Sequence, residues 1–348
     1  MAALDATMPT MLDLAKMTGP DGKLTPLADI VPILNLTDMI FPKIRWMPAN
    51  SKFSHRSTYD TELPEGDFAG INGYTLPSVG TTGQSEDGLA DYQDYSLVDV
   101  RLAEASGNVD QYRMIQDAKH MQGAVHKVMR TWIYGNAKTA PKTFTGIMAR
   151  YAAKVAGGAS GTPTETAENI VLGGGAEGQT DCTSILIVNF GKMGGVAGIY
   201  QPNTMAGFQI TNRGLYTEKH ATLGFRETFM THYRWSCGLT LPDWRKCVRI
   251  ANIDTGQLTA AGTGSNDTDL AAKIRWAIDL LPPDAEGETY VLGNRTVSQW
   301  LNQQAMKAVN GATVTFEQIG GKPITVVGGL PFLRCDSITN AETGMKVS

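Results

Sequence analysis

Four cysteines (Cys182, Cys237, Cys247, Cys335) and five histidines (His55, His120, His126, His220, His232) are the side chains of this sequence best suited to metal or redox chemistry. A structural zinc site draws its ligands in pairs at short spacing, and a dithiol redox centre needs a C-x-x-C pair. Neither pattern occurs. His120 and His126 are six residues apart, off the spacing that brings two rings onto one helical face. His220 and His232 are twelve apart with no clustered carboxylate. Cys237, Cys247 and Cys335 lie in hydrophobic, strand-like runs, where a free thiol packs as a small apolar group. The expectation is buried thiols and no metal.

Nucleotide and hydrolase chemistry are equally unsupported. No G-x-x-x-x-G-K-[ST] loop is present. The run Gly173-Gly174-Gly175-Ala176-Glu177-Gly178 follows the apolar Ile170-Val171-Leu172 and so resembles the start of a dinucleotide site. It leads into Gln179 to Ser184 and then a β-type run, however, not into a helix whose N-terminus could hold a pyrophosphate. A flexible loop is expected there. Gly158-Ala159-Ser160-Gly161 lacks the spacing of a nucleophile elbow, and neither H-E-x-x-H nor a calcium-binding loop occurs. No catalytic, cofactor-binding or metal-binding residue is assigned, and the chain is not expected to be an enzyme.

The composition narrows the class further. The 348 residues carry 30 Lys+Arg and 34 Asp+Glu, a net charge of −4, which argues against a dedicated nucleic-acid binder. A 42% hydrophobic fraction supplies a core, while only 18% charged residues implies that part of the surface faces other protein. The 38 glycines predict many loops. No apolar run is long enough for a membrane span, and the start lacks a basic, then apolar, export signal.

The elements that would carry a site are uneven. Thr10 can cap a short helix through Leu14 and Met17, and a second is expected over Leu27 to Met39; neither buries a full face, so the region reads as an arm. From Met47 to Asp99 apolar residues are sparse, glycines and acids frequent. Strands over Ser54 to Thr61 and Tyr92 to Val100 would make a two-stranded arm, with turns at Glu62–Gly66 and Gly80–Gly88, that is marginal alone. Val109 to Tyr134 is the clearest helix. Val109, Tyr112, Ile115, Ala118, Met121, Val125, Val128, Met129 and Trp132 form its apolar stripe, Gln116 falls on the opposite face, Asn108 is the cap and Gly135 the C′ stop. Pro141 to Ile147 reads as a turn and strand, and Ala152 to Gln179 as a surface connection. Ile185 to Phe190 is a buried strand. Phe225 to Leu241 alternates with period two, placing Phe225, Phe229, Tyr233, Trp235, Cys237, Leu239 and Leu241 together and His232 on the polar parity. Trp244 to Ile253 is expected to answer it as the second strand. After that come a helix from Asp267 or Thr268 to Leu281, a strand at Tyr290–Leu292, a helix over Thr296 to Ala308, and strands at Val314–Gln318, Ile324–Val327 and Pro331–Arg334.

This α+β succession, arm, protruding loop, rod-like helix, long β element and compact tip, resembles the HK97-type major capsid proteins of tailed phages. The wording is closest to the capsid family of epsilon15-like short-tailed phages. Tyr134-Gly135-Asn136, Phe144-Thr145-Gly146-Ile147, Ala149-Arg150-Tyr151, Asp181 to Ile185 and Gly198-Ile199-Tyr200 carry the resemblance. So do Thr231 to Trp235, Gly238-Leu239, Asp243-Trp244-Arg245 and Arg249 to Ile253, with Gly293 to Thr296 similar to a strand-Asn-x-Thr-helix step.

The resemblance implies an N-terminal arm (1–46), an extended E-loop (47–99), a peripheral domain (100–254) with spine helix 109–134 and long strands over 225–253, and an axial domain (255–348). It implies hexamers and pentamers closing into an icosahedral virion shell around double-stranded DNA without sequence-specific binding. Portal, scaffolding and decoration proteins would be partners, with synthesis in the host bacterial cytoplasm and no membrane. An encapsulin-like compartment shell is the nearest alternative, and a soluble α/β enzyme a more remote one. Two expectations follow. Deleting Pro64 to Gly88 leaves a foldable subunit that forms no stable shell, and an unpaired charge at Val125 prevents folding.

Overall fold

The computed structural model describes residues 9, 11–17, 39–71, 73–154, 164–191, 194–204, 207–220, 224–259, 270–283, 287–306, 314–319 and 322–345. The expected helix over Leu27 to Met39, apart from Met39 itself, and the caps at Thr10, Asp267 and Thr268 lie outside these residues.

In chain order the strands are β1 (Trp46–Pro48), β2 (Ser54–Glu62), β3 (Thr81–Asp99), β4 (Ile170–Leu172), β5 (Cys182–Phe190), β6 (Ala197–Tyr200) and β7 (Gln209–His220). There follow β8 (Gly224–Thr240), β9 (Cys247–Asp254), β10 (Glu288–Gly293), β11 (Val314–Ile319), β12 (Lys322–Val327) and β13 (Leu330–Arg334). The helices are α1 (Met11–Met17), α2 (Val100–Ala105), α3 (Val109–Tyr134), α4 (Ile147–Arg150), α5 (Thr164–Glu168), α6 (Thr255–Thr259), α7 (Leu270–Asp279) and α8 (Arg295–Met306). They group into two compact units, the first built from Met1–Leu36, Asp91–Val128 and Met205–Ser236, the second from Thr37–Ala90, Met129–Thr204 and Cys237–Ser348.

In the first unit β7 and β8 form a long antiparallel hairpin, Lys219 opposite Phe225 near its turn and Gln209 opposite Arg234 at its base. Leu14, Val98, Leu102, Ala103 and Tyr112 pack as a small core, with Met17, Val109 and Phe229 against it. Polar contacts tie α3 to the hairpin. The guanidinium of Arg113 lies 4.8 Å from the Phe229 ring and donates to Asn212 at 2.7 Å. His120 Nδ1 lies 2.8 Å from Asp94 Oδ2, at hydrogen-bond distance, and its ring stacks on Tyr233.

The second unit holds a seven-stranded sheet in the order β11-β12-β13-β10-β5-β9-β4. Every residue of β5 is buried, as expected of a central strand covered on both faces. Ile185, Ile187, Val248, Ile250, Ile274, Val291 and Leu301 belong to one core with the inward residues of α7 and α8. The start of α8 is fixed by Asn294, whose Oδ1 accepts from the Val297 amide at 3.0 Å. In the same unit β1 pairs parallel with β6, β6 antiparallel with the end of β8, and β2 antiparallel with the first half of β3.

Several expectations need correction. β9 does not answer β8; it enters the larger sheet between β5 and β4, while β7 is the hairpin partner of β8. Alternation shows which face of a strand is apolar but not which distant strand completes its hydrogen bonds. Phe225 is 72% exposed in spite of its parity, because it lies at the hairpin tip beyond the core. On α3 the cap at Asn108 is present, its Oδ1 accepting from the Gln111 amide at 3.1 Å. Gln116 is buried, and Val109, Ala118, Met121 and Val125 are only half-buried. A charge at Val125 could therefore reach water, and the core of this helix is Tyr112, Ile115, Val128, Met129 and Trp132. Gly135 is not among the positive-φ glycines. It is required because a Cβ there would stand 2.4 Å from the carbonyl oxygens of Phe144 and Thr131.

Pro141 to Ile147 forms turns leading into α4, not a strand. The Ala152 to Gln179 stretch contains α5 and the buried β4, and its glycine run is held, with the Gly173 and Gly175 amides donating to Ala251 and Asn252.

Candidate assembly site

The extended loop is where the fold leaves apolar chemistry unsatisfied. Its base is built from β2 and β3, paired from Ser54 opposite Gly88 to Glu62 opposite Thr81. The expected turn over Gly80–Gly88 is not one: Thr81 to Asp99 is a single 19-residue strand. Gly83 within it lies against Tyr59, whose ring would be 2.8 Å from any Cβ. The glycine there provides room for an aromatic cross-strand neighbour, which is why turn-like composition misleads.

Beyond Glu62 the chain loses its ladder and does not recover it until Thr81. In this stretch Leu63, Phe68, Ile71, Tyr74, Leu76 and Val79 are between 73% and 104% exposed. Internal support is slight: Gly73 donates to the Gly70 carbonyl at 2.9 Å, and the Phe68 amide to Asp67 Oδ1 at 2.8 Å. Six large apolar side chains exposed within one coreless loop mark a surface that another protein covers.

The base, in contrast, is anchored. Asp87 of β3 is buried, and its carboxylate accepts from Arg150 of α4 at 2.7 Å and from the Leu241 amide at 3.4 Å. Arg150 also donates to the Leu239 carbonyl at 3.2 Å. A deletion of Pro64 to Gly88 would remove Asp87 and leave the partly buried Arg150 without its counter-charge, so the separable loop is 63–80. On β2, His55 accepts a hydrogen bond at Nδ1 from the Asn50 amide at 3.3 Å. Desolvation holds its pKa below the ordinary value, partly opposed by Asp87.

A second buried polar assembly fixes the C-terminal segment. Glu342 accepts from Arg249 at 3.1 Å, from Ser184 and from Tyr134, both at 2.5 Å, and Arg249 donates to the Tyr151 carbonyl at 2.7 Å. Burial, then the Glu342 charge, raises the Tyr134 phenol. The partners hydrogen-bond one another, so the arrangement locks the chain.

The four cysteines are free and buried. Burial pushes the Cys247 thiol up to about 12 and raises Cys182 too, the opposite of what nucleophilic use requires. His232 stacks on Tyr95 at 4.4 Å, and His120 pairs with Asp94. Among the described residues no group of three His, Cys, Asp or Glu side chains could hold a metal. The Asp87–Arg150 anchor had no sequence signal, because its members stand 63 residues apart.

The model of the family described as major capsid protein GP7 matches residues 19–346. The chain belongs to that family. It is a phage major capsid protein, a component of the virion shell, and its fold agrees. It is similar to a chain of the bacteriophage epsilon15 structure, with a TM-score of 0.76, 26% identity and 99% of both chains covered. The capsid of bacteriophage JBD30 gives a TM-score of 0.51 at 8% identity, covering 90% of this capsid protein and 96% of that chain, a likeness of fold. The SrpI encapsulin of Synechococcus elongatus reaches only 0.39 at 12% identity, covering 71% and 96%, too low to argue for a compartment shell. No curated protein matches the sequence.

Proposed function

We propose that this capsid protein assembles with copies of itself, as hexamers and pentamers, into an icosahedral shell that encloses double-stranded DNA. The loop over 63–80 is its principal inter-subunit contact. The carrying observation is that this loop exposes six large apolar side chains with no core of its own. Covering Phe68 or Ile71 on a neighbour contributes about 1.5–3 kcal/mol each, and a subunit that both gives and receives such contacts gains more by closure than from any single one. The resemblance supports naming 1–46 the arm, 47–99 the E-loop, 100–254 the peripheral domain and 255–348 the axial domain. It equally supports portal, scaffolding and decoration proteins as partners, and synthesis in the host cytoplasm. The mutually hydrogen-bonded polar clusters support a role without catalysis, and the net charge of −4 supports containing DNA without gripping it.

The test is to replace Pro64–Val79 by a short Gly-Ser turn, leaving Asp87 in place. The variant is expected to keep the melting behaviour of the subunit and to form no particles. Normal shells in negative-stain micrographs would overturn the proposal.

A further inference from the structure

The charges of this chain are sorted along its sequence. Residues 57–100 hold nine carboxylates and no lysine or arginine, whereas residues 118–164 hold seven lysines and arginines and no carboxylate. Part of each run is engaged within the subunit, Asp87 by an ion pair with Arg150 and Asp94 by a hydrogen bond with His120. The remainder is exposed. On the loop, Glu62, Glu65 and Asp67 stand in solvent beside Leu63 and Phe68. On the other run, Arg130 near the end of α3 and Lys138 and Lys142 just after it are exposed. Among the described residues no carboxylate lies within ion-pair distance of these three.

The lysines are held near the helix end. The segment over 135–146 closes on the last turn of α3, with the Gly146 amide donating to the Gly135 carbonyl at 2.8 Å. A Cβ on Gly146 would stand 2.7–2.8 Å from the carbonyl oxygens of Thr131, Trp132 and Ile133. Arg130 in turn borders an open cavity of about 420 Å³ that Met148 and Ala341 line together with Thr339, Thr343 and the Tyr134, Arg249 and Glu342 cluster. The face therefore offers cations next to a hollow of mixed polar and apolar lining, and the loop offers carboxylates next to apolar side chains.

The geometry points to this cationic face as the seat for the loop tip of a second copy of the chain. Glu65 and Asp67 lie against Arg130, Lys138 and Lys142, and Leu63 or Phe68 enters the hollow beside Arg130. The inference rests on the reading that the loop docks on a neighbouring subunit, and adds where it docks and by what chemistry. DNA phosphates would also satisfy the cations but bring no apolar group to the hollow at the exposed Ala341, and the chain's own loop carries the complementary carboxylates, which favours the loop. Exposed ion pairs are individually weak and screened by salt. Their contribution is to register and encounter rate, while the apolar contact provides the hold.

Charge reversal tests this in the full chain. Glu65→Lys with Asp67→Lys reverses the tip, and Arg130→Glu with Lys138→Glu and Lys142→Glu reverses the face. Each variant is expected to keep its helical circular dichroism and lose particles in light scattering, and the chain carrying all five substitutions is expected to recover them. If the reversed face does not fold, Arg130→Gln with Lys138→Gln and Lys142→Gln replaces it, with slower assembly at low salt and a weaker salt dependence expected. Normal assembly of the face variant overturns the inference, as does failure of the five-substitution chain to recover while it remains folded. If the face variant assembles normally but retains less DNA, the face belongs to phosphate and the inference is again overturned. In each of these cases a loop-replaced chain that still forms no particles leaves the assembly role of the loop standing.

Discussion

Arg150 and Asp87 carry more of the loop base than their number suggests. Their side chains are 16% and 6% exposed, so the pair is shielded from solvent and from salt. Removing one partner leaves the other charge buried, and Arg150→Ala is expected to cost about 3–5 kcal/mol of subunit stability in chemical denaturation. Replacing an exposed partner such as Arg245, paired with Asp243 at 3.0 Å, should change it by less than about 1 kcal/mol. His55 sets a pH dependence at the same base. Its folded pKa lies below the ordinary value, so above about pH 6.5 both folded and unfolded states are neutral there and the native contact is intact. As pH falls below that value the unfolded chain takes the proton first, and stability declines until the folded pKa is passed. The protection factor of the Asn50 amide, its exchange relative to an unstructured chain at the same pH, should fall over that interval, and His55→Gln should abolish the change.

The elements that were legible are those whose signal is local. The spacing of Tyr112, Ile115, Val128, Met129 and Trp132 fixes a helix whose ends agree with Val109 and Tyr134. The period-two run over Phe225 to Leu241 fixes the long strand to within one residue. What was not legible is non-local. The hairpin partner of β8 is β7, and the end of β4 is held by the Gly173 and Gly175 amides donating to carbonyls of β9, relations that composition does not encode. Glycine misled twice for one reason: at Gly83 and Gly135 it admits a close neighbour, whereas composition alone suggests a turn or a left-handed cap. Of the candidate site, the coreless loop was visible as a lack of apolar periodicity, but its anchor was not. The corrected helix core yields a prediction of its own. Met129 is fully buried, and Met129→Ala should destabilise by about 2–5 kcal/mol in denaturant unfolding, while Val125→Asp, half in solvent, should still fold.

For the whole molecule, subunit stability and shell stability are separate quantities. The buried sheet and the Glu342–Arg249 cluster serve the first, and the six exposed apolar residues of the loop serve the second. Phe68→Ser should therefore leave the thermal midpoint of the dissociated subunit unchanged and raise the concentration at which particles appear, measured by light scattering across a dilution series. A shift in the subunit midpoint of more than a degree or two would mean that Phe68 packs on its own chain. The four buried thiols bear on how such experiments can be done. None of them is presented to an alkylating reagent in the native subunit, so a cysteine placed at the exposed Ala69 would take a maleimide dye alone. Fluorescence from that single label would then report, in real time and without otherwise altering the chain, each moment at which a ribbon meets its receiving surface.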